Sequence, residues 1–392
     1  MKEIFSYKKL YRAYLDCRRT KRKTINALEF EKNFERNLFE LGNDLKNGTY
    51  SIGRSVCFAV KEPCVREIFA GQFRDRVVHH LLVNEIGKIG EKCFAAASFA
   101  CRPGKGTHNA AGYLRQMIKK ASCNNSRQIY YLQMDISGFF MAIDHSILYA
   151  LARKMVFSQN KSHQWKTGIL GLIKVIIFNK PTQNYFAKGN LALLARVPPR
   201  KSLFFAPAGK GLPIGNYSSQ FFANLYLNEL DQFVKRRIKC RHYARYVDDF
   251  ILLSSDKEEL ILWRNQIADF LKKNLKLAIN HNKQRIQPLA AGIDFLGYFI
   301  KPDYVLVRRK VVCRMKSKLR EFERQKEPNA AKKFLPVINS YFGHFKHANS
   351  YRLRKSVFEK LSGGLKDCFA PKSDFSSLRP AVGCLPNSAG LC

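Results

Sequence analysis

Three aspartates stand where carboxylates can do chemistry. Asp135 closes an apolar run rich in strand formers, QIYYLQM (residues 128–134). Asp248 and Asp249 sit in HYARYVDDFILLS (residues 242–254), where two short apolar runs flank an Asp-Asp pair in the pattern of a β-hairpin turn. A carboxylate at a strand end can reach a cleft, and a hairpin turn can present two more beside it. Oxygen ligands of this kind suit Mg²⁺, which keeps several waters and binds through only one or two carboxylates plus substrate phosphates. Two such ions held roughly 3.5–4 Å apart activate a hydroxyl and hold a departing pyrophosphate, which is what nucleotidyl transfer requires. Taken singly, each piece has a plainer reading. Asp135 followed by Ser137 also suits a helix start, and an Asp pair also suits an ordinary turn.

The charge of the chain weights the combination toward the metal chemistry. Its 392 residues carry 69 Lys and Arg against 30 Asp and Glu, a formal net charge of +39 that calls for a polyanionic partner. Nucleic acid fits, because neutralising phosphates releases condensed counterions. An anionic membrane surface is the rival. No apolar run reaches the ~18 residues of a spanning segment; the most apolar stretch, GILGLIKVIIF (residues 168–178), is short and broken by Lys174. The N-terminus lacks the apolar region of a signal peptide, so a cytoplasmic protein with no membrane partner is expected. A content of 46% hydrophobic and 12% aromatic residues excludes a largely disordered chain. Eleven cysteines are scattered without C-x-x-C spacing, which argues for reduced thiols over zinc or disulfides.

The elements that must position the aspartates follow from hydrophobic period. Residues 28–48 read as one amphipathic helix stopping near Gly48, 50–69 as strand, and 74–94 as helix. A turn and a helix follow Asp135, and another helix follows GLPIGNYSSQ (residues 211–220). Residues 257–275 form a helix, 291–310 a strand pair, and 310–361 a basic helical region. The Ser, Pro, Gly and Cys content after about residue 366 suggests a poorly ordered tail.

Several segments between Lys61 and Tyr298 together resemble the reverse transcriptase family. MDISGFF (residues 134–140) and YVDD (246–249) resemble its two metal-binding motifs. VKEPCVREIFAGQFRDRVVHH (60–80) and SFACRPGKGTHNAA (98–111) resemble its fingers motifs, while NHNKQRIQ (280–287) and IDFLGYFI (293–300) resemble later palm and primer-grip segments. The resemblance implies an α+β right-hand polymerase with fingers, a palm of antiparallel sheet backed by helices, and a helical thumb. It implies a basic N-terminal segment over 1–27, fingers and palm over 28–300, a basic helical thumb over 301–365 and a tail over 366–392. By the same resemblance Asp135, Asp248 and Asp249 are catalytic and, with Ile136, form the metal set for two Mg²⁺, which Mn²⁺ can replace. Lys61, Arg66, Phe140, Ile214, Gln220 and Lys283 then face the incoming deoxynucleotide, Phe140 as the aromatic gate against a ribose 2′-hydroxyl. Arg74, Arg76, Arg102, Tyr246 and Gly297 fall to template and primer, the two arginines 74 and 76 also being open to a structural role.

One segment narrows the family. Where intron-type enzymes carry Gln-Gly and Ser-Pro, this chain has Ile214-Gly215 and Ser219-Gln220, preceded by PPRKSLFFAPAGKG (residues 198–211). That departure resembles the reverse transcriptases of diversity-generating retroelements in bacteria and phages. The resemblance implies a template-repeat RNA copied into cDNA with low fidelity at template adenines, and a basic, helical, pentameric accessory variability protein as partner. An isoleucine offers only shape where a glutamine offers hydrogen bonds, and apolar fit discriminates less sharply. Ile214 also suits a plain packing position. Defence-associated, retron and group II intron-type enzymes remain alternatives, as does an inactive RNA-binding scaffold of the same fold.

Overall fold

The computed structural model describes residues 4–19, 21–61, 64–324, 330–361 and 366–381. The protein is mixed α+β, as the alternating helical and strand periods require. It divides into two compact units: Met1–Gly104 with Leu132–Leu252 and Lys257–Ile286, and Lys105–Tyr131 with Leu253–Asp256 and Gln287–Cys392. Residues 105–131 thus group with the segment that begins at Gln287.

The N-terminus is more than a basic segment. Helix α1 (Tyr7–Arg18) buries Leu10, Ala13, Tyr14 and Cys17. The single helix expected over 28–48 is two, α2 (Ile25–Lys32) and α3 (Phe34–Asn47), because Asn33 leaves helical geometry at φ −125°, ψ 49°. Strands β1 (Ser55–Val60) and β2 (Arg66–Ala70) form an antiparallel hairpin with Val60 opposite Arg66. Helix α4 (Phe73–Cys93) is buried along Val77, Val78, Leu81, Leu82 and Ile86.

Helix α5 (Thr107–Ala121) precedes β3 (Tyr130–Asp135), whose last residue is the first aspartate. The turn and helix expected next are α6 (Phe139–Ala142) and α7 (His145–Phe157). The apolar stretch at 168–178 belongs to α8 (His163–Ile177), which packs on α7 and buries Ile169, Leu172, Ile173 and Ile177. No helix among the described residues is long and apolar enough to cross a membrane. Strand β4 (Tyr185–Ala187) runs parallel to β1, giving a sheet ordered β2-β1-β4, and α9 (Leu191–Ala195) follows.

Helix α10 (Tyr217–Gln232) packs on α4 and is buried nearly all round. Next come the expected hairpin, β5 (His242–Tyr246) and β6 (Asp249–Ser254), then α11 (Lys257–Leu275) and β7 (Arg285–Pro288). The central sheet is ordered β5-β6-β3-β7, so the two aspartate-bearing segments lie on adjacent strands.

In the second unit the expected strand pair is a three-stranded antiparallel sheet of β8 (Ile293–Phe295), β9 (Tyr298–Ile300) and β10 (Val305–Val307). Helices α12 (Arg309–Arg324), α13 (Ala330–Phe345) and α14 (Tyr351–Glu359) enclose Met315, Phe334, Ile338, Phe342, Phe345 and Val357. The expectation of a poorly ordered tail does not hold for its first part. Strands β11 (Phe369–Pro371) and β12 (Leu378–Pro380) pair as a hairpin that buries Phe369 and Leu378 in that same core. The Asn339 side chain both donates to the Leu378 carbonyl and accepts from its N–H, at 2.8 and 2.7 Å. Residues 382–392 lie outside the described residues.

Candidate active site

Backbone pairing brings the aspartates together. The N–H of Ile136 donates to the Asp248 carbonyl at 3.2 Å, placing the end of β3 beside the β5–β6 turn. Val247 occupies that turn at φ +55°, a left-handed conformation uncommon for a β-branched residue. What holds it is an ion pair the sequence reading missed. Arg245 and Asp231, 1% and 0% exposed, pair through Nε–Oδ1 at 2.7 Å and Nη2–Oδ2 at 2.6 Å. Arg245 also donates from Nη2 to Ser98 Oγ at 3.0 Å and from Nη1 to the Val247 carbonyl at 3.0 Å. The guanidinium thus ties α10 and residue 98 to the turn that presents Asp248. An arginine within the apolar strand HYARY was the available signal.

Asp135 and Asp249 are held by side-chain partners. Asp135, 7% exposed, accepts from Asn280 Nδ2 at 3.0 Å and from Lys283 Nζ at 2.6 Å. Asp249 accepts from Gln133 Nε2 at 3.1 Å. Burial, then the Asp135 charge, pushes Asp248 up to about 6 against the opposing pull of Lys283 and Arg66. Burial pushes Asp249 up to about 7, with Gln133 opposing and Asp248 and Asp135 adding to the rise. Asp144, nine residues after Asp135, is committed elsewhere: it caps α7 by accepting from the N–H groups of Ser146 and Ile147, and pairs with Lys276 at 2.8 Å.

Mutually repelling carboxylates of this kind fit divalent cations. Among the described residues no three His, Cys, Asp or Glu side chains already form a metal cluster, and Mg²⁺ needs none, since it completes its shell with water and phosphate. Asp135 and Asp248 would hold it, with Asp249 beside them. Ile136 can offer only its carbonyl, because its side chain is apolar and 1% exposed.

A pH dependence follows. Asp248 and Asp249 have folded values above their ordinary one, so their contribution to stability is full below about pH 4 and is lost as pH rises through about 6 and 7. A cation that replaces the protons removes this loss. Mg²⁺ is therefore expected to raise the unfolding temperature more at about pH 8 than at about pH 5.5, where protons compete for the same oxygens. Equal shifts in thermal unfolding at the two pH values would contradict the placement.

The remaining expected residues separate into groups. Lys61 is exposed just past β1 and Arg66 opens β2, so both lie at one end of the hairpin, and the Arg66 charge reaches Asp248. Phe140 is half-buried against Cys57, Phe69, Met141 and Leu203, and Ile214 packs on that same cluster while its carbonyl accepts from the Phe69 N–H at 2.8 Å. Gln220 is exposed on α10, and Tyr246 ends β5 next to the turn. Arg74 pairs with Asp44 at 2.5 Å and lies over the Tyr50 ring, and Arg76 donates to the Gly71 carbonyl at 2.9 Å; both have structural partners. Arg102, expected at the template, is 8% exposed and clamps Glu91 and the carbonyls of Ala95 and Ser98. Its donors are spent on packing a loop rather than presented to a strand. Gly297 forms the β8–β9 turn at φ +86°, and a Cβ there would meet His344 Nε2 at 3.0 Å.

The sequence model of the family described as Reverse transcriptase (RNA-dependent DNA polymerase) matches residues 65–300. Protein YkfC of Escherichia coli (strain K12) is 24% identical over 66% of this chain and 69% of its own. Nuclear intron maturase 1, mitochondrial, of Arabidopsis thaliana is 20% identical over 58% of this chain, and a Putative COX1/OXI3 intron 2 protein of Saccharomyces cerevisiae 23% over 60%. This chain spans only 40% and 30% of those two proteins. Telomerase from Candida albicans superposes with a TM-score of 0.48 at 11% identity, over 81% of this chain and 57% of that one.

Proposed function

The chain belongs to the reverse transcriptase (RNA-dependent DNA polymerase) family and shares its right-hand polymerase fold, and from that premise we propose that it copies RNA into DNA at Asp135, Asp248 and Asp249. The observation that carries this reading is that the Ile136 N–H on the Asp248 carbonyl sets Asp135 beside the Asp248-Asp249 turn, where the three carboxylate charges act on one another, Lys283 pairs with Asp135 and the Arg66 charge acts on Asp248. When bound, two Mg²⁺ ions lower the pKa of the primer hydroxyl and stabilise the departing pyrophosphate. Asp135 and Asp248 position those oxygens, and Arg66, Lys61 and Lys283 supply cationic donors for the triphosphate. Phe140 stands as the sugar gate. In this reading fingers and palm lie within 28–300 and the thumb within 301–365, and the +39 charge serves template RNA and cDNA. Mg²⁺-dependent primer extension on RNA and DNA templates tests the proposal; no product on either would sink it.

The finer reading is a diversity-generating enzyme that copies a template-repeat RNA with low fidelity at template adenines, for mutagenic retrohoming into a target gene alongside a basic, helical, pentameric accessory protein. Its support is Ile214, which packs on the cluster that also seats the gate Phe140. A residue there that offers only shape leaves base and sugar selection to fit alone. Ile214→Gln is expected to lower misincorporation opposite template adenine by about 10-fold; an unchanged error spectrum in sequenced product would defeat the idea. Phe140→Ala is expected to raise ribonucleotide incorporation by about 10- to 200-fold, as loss of an apolar sieve does, and unchanged sugar selection would remove Phe140 as gate. The intron proteins among its relatives favour a second reading, an intron-type enzyme. Errors spread evenly over template bases would point there.

A further inference from the structure

Lys201 lies in the segment 198–211, yet neither the resemblance nor the carboxylates give it a role. It closes a short 3-10 turn, Pro199–Lys201, in the segment before α10. That segment is built against the site from two sides. Buried Glu67 of β2, 3% exposed, accepts from Ser202 Oγ and from the Leu203 N–H, both at 2.7 Å. On the other side the Arg200 carbonyl lies 2.6 Å from where a Cβ on Gly138 would stand, and Gly138 is at φ +54° in the turn between Asp135 and Phe140. Lys201 is thus fixed between the β1–β2 hairpin and the aspartate turn.

There its charge meets another of the same sign. Lys201 Nζ and Arg66 Nη2 each lie 3.7 Å from Cys64 Sγ, so the two cations come within about twice that distance of each other. Burial pushes the Cys64 thiol up, but the adjoining Lys201 and Arg66 charges outweigh it and hold the thiol below its ordinary value. Two cations held together around one small side chain repel unless an anion joins them. Arg66 opens β2 and its charge acts on Asp248, while the Arg200 carbonyl beside Lys201 abuts the turn that follows Asp135, so both cations stand toward the aspartates.

We propose that Lys201 is a further cationic contact to the polyphosphate of the incoming nucleotide, which lies over Cys64 between Lys201 and Arg66. The proposal rests on the polymerase reading, yet one of its tests does not need polymerisation. In the full-length protein, alkylation of Cys64 by N-ethylmaleimide is followed by mass spectrometry of its peptide while inorganic tripolyphosphate is added. Each variant is compared with its own unprotected rate. Tripolyphosphate is expected to shield Cys64 in the wild type, Lys201→Ala to need about tenfold more for the same shielding, and Lys201→Arg to restore it. In primer extension Lys201→Ala is expected to raise the nucleotide KM about tenfold and leave kcat within about twofold, as loss of a ground-state contact does. Unchanged shielding and unchanged KM in a normally folded Lys201→Ala overturn the proposal while wild-type synthesis still stands. Lys201-dependent shielding in a wild type that makes no DNA sustains the anion site and sinks the polymerase reading instead.

Discussion

Asp248→Asn is expected to lower DNA synthesis by at least about 10³-fold while leaving RNA binding largely intact. The carboxylate is one of the two that would hold the metal pair, and removing an ion's transition-state stabilisation costs several kcal/mol, each 1.36 kcal/mol being tenfold in rate. In the proposed reading, RNA affinity is expected to come from the distributed basic charge, of which Asp248 is no part. The variant has a second signature. The wild-type carboxylate is pushed up to about 6 by burial and the Asp135 charge, so its ionisation opposes folding at neutral pH. The metal-free variant should therefore unfold at a higher temperature than the metal-free wild type at about pH 8, with the difference shrinking toward about pH 5. Primer extension beside thermal unfolding separates a lost ligand from a damaged fold. Retained synthesis would defeat the assignment of Asp248.

Breaking the Arg245–Asp231 pair is expected to have the largest effect on stability. Both groups are buried, and a charge left without its partner costs about 3–5 kcal/mol. Arg245→Met and Asp231→Leu should each approach that figure in denaturant unfolding. The double variant Asp231→Leu/Arg245→Met should recover part of it, because replacing a buried pair with apolar side chains is often neutral, while the buried Tyr243 hydroxyl that donates to Asp231 Oδ1 at 2.7 Å loses its acceptor. Activity should not recover with it. The double variant still lacks the Nη1 donor to the Val247 carbonyl, so the turn at φ +55° that presents Asp248 loses its hold. Full synthesis in a stable double variant would show that the turn holds itself.

Parts of this arrangement were legible along the chain. The strand ending at Asp135, the hairpin around Asp248 and Asp249, and helices such as Lys257–Leu275 follow from local period and turn chemistry. Elsewhere local signals misled. Asn33 splits a helix whose apolar spacing runs on through it. The residues after 366 look like a tail by composition, yet Phe369 and Leu378 reach a core supplied by helices earlier in the chain. Arg102 carries the charge of a template contact, but Glu91 and two carbonyls claim its donors.

The sequence by itself determined which carboxylates could do chemistry, because strand propensity and an Asp-Asp turn between apolar runs are local properties. It also determined the net charge of +39 that calls for a polyanionic partner, since formal charge is set by composition and not by the fold. Only the tertiary structure decided what surrounds those carboxylates: Lys283 on Asp135, Gln133 on Asp249, Arg245 behind the turn, and Lys201 beside Arg66. These contacts join residues as far as 148 positions apart. Apart from the arginine in the apolar strand before the turn, no local pattern encodes them, because a charged side chain reads alike in sequence whether the fold turns it to solvent or seats it against a buried partner.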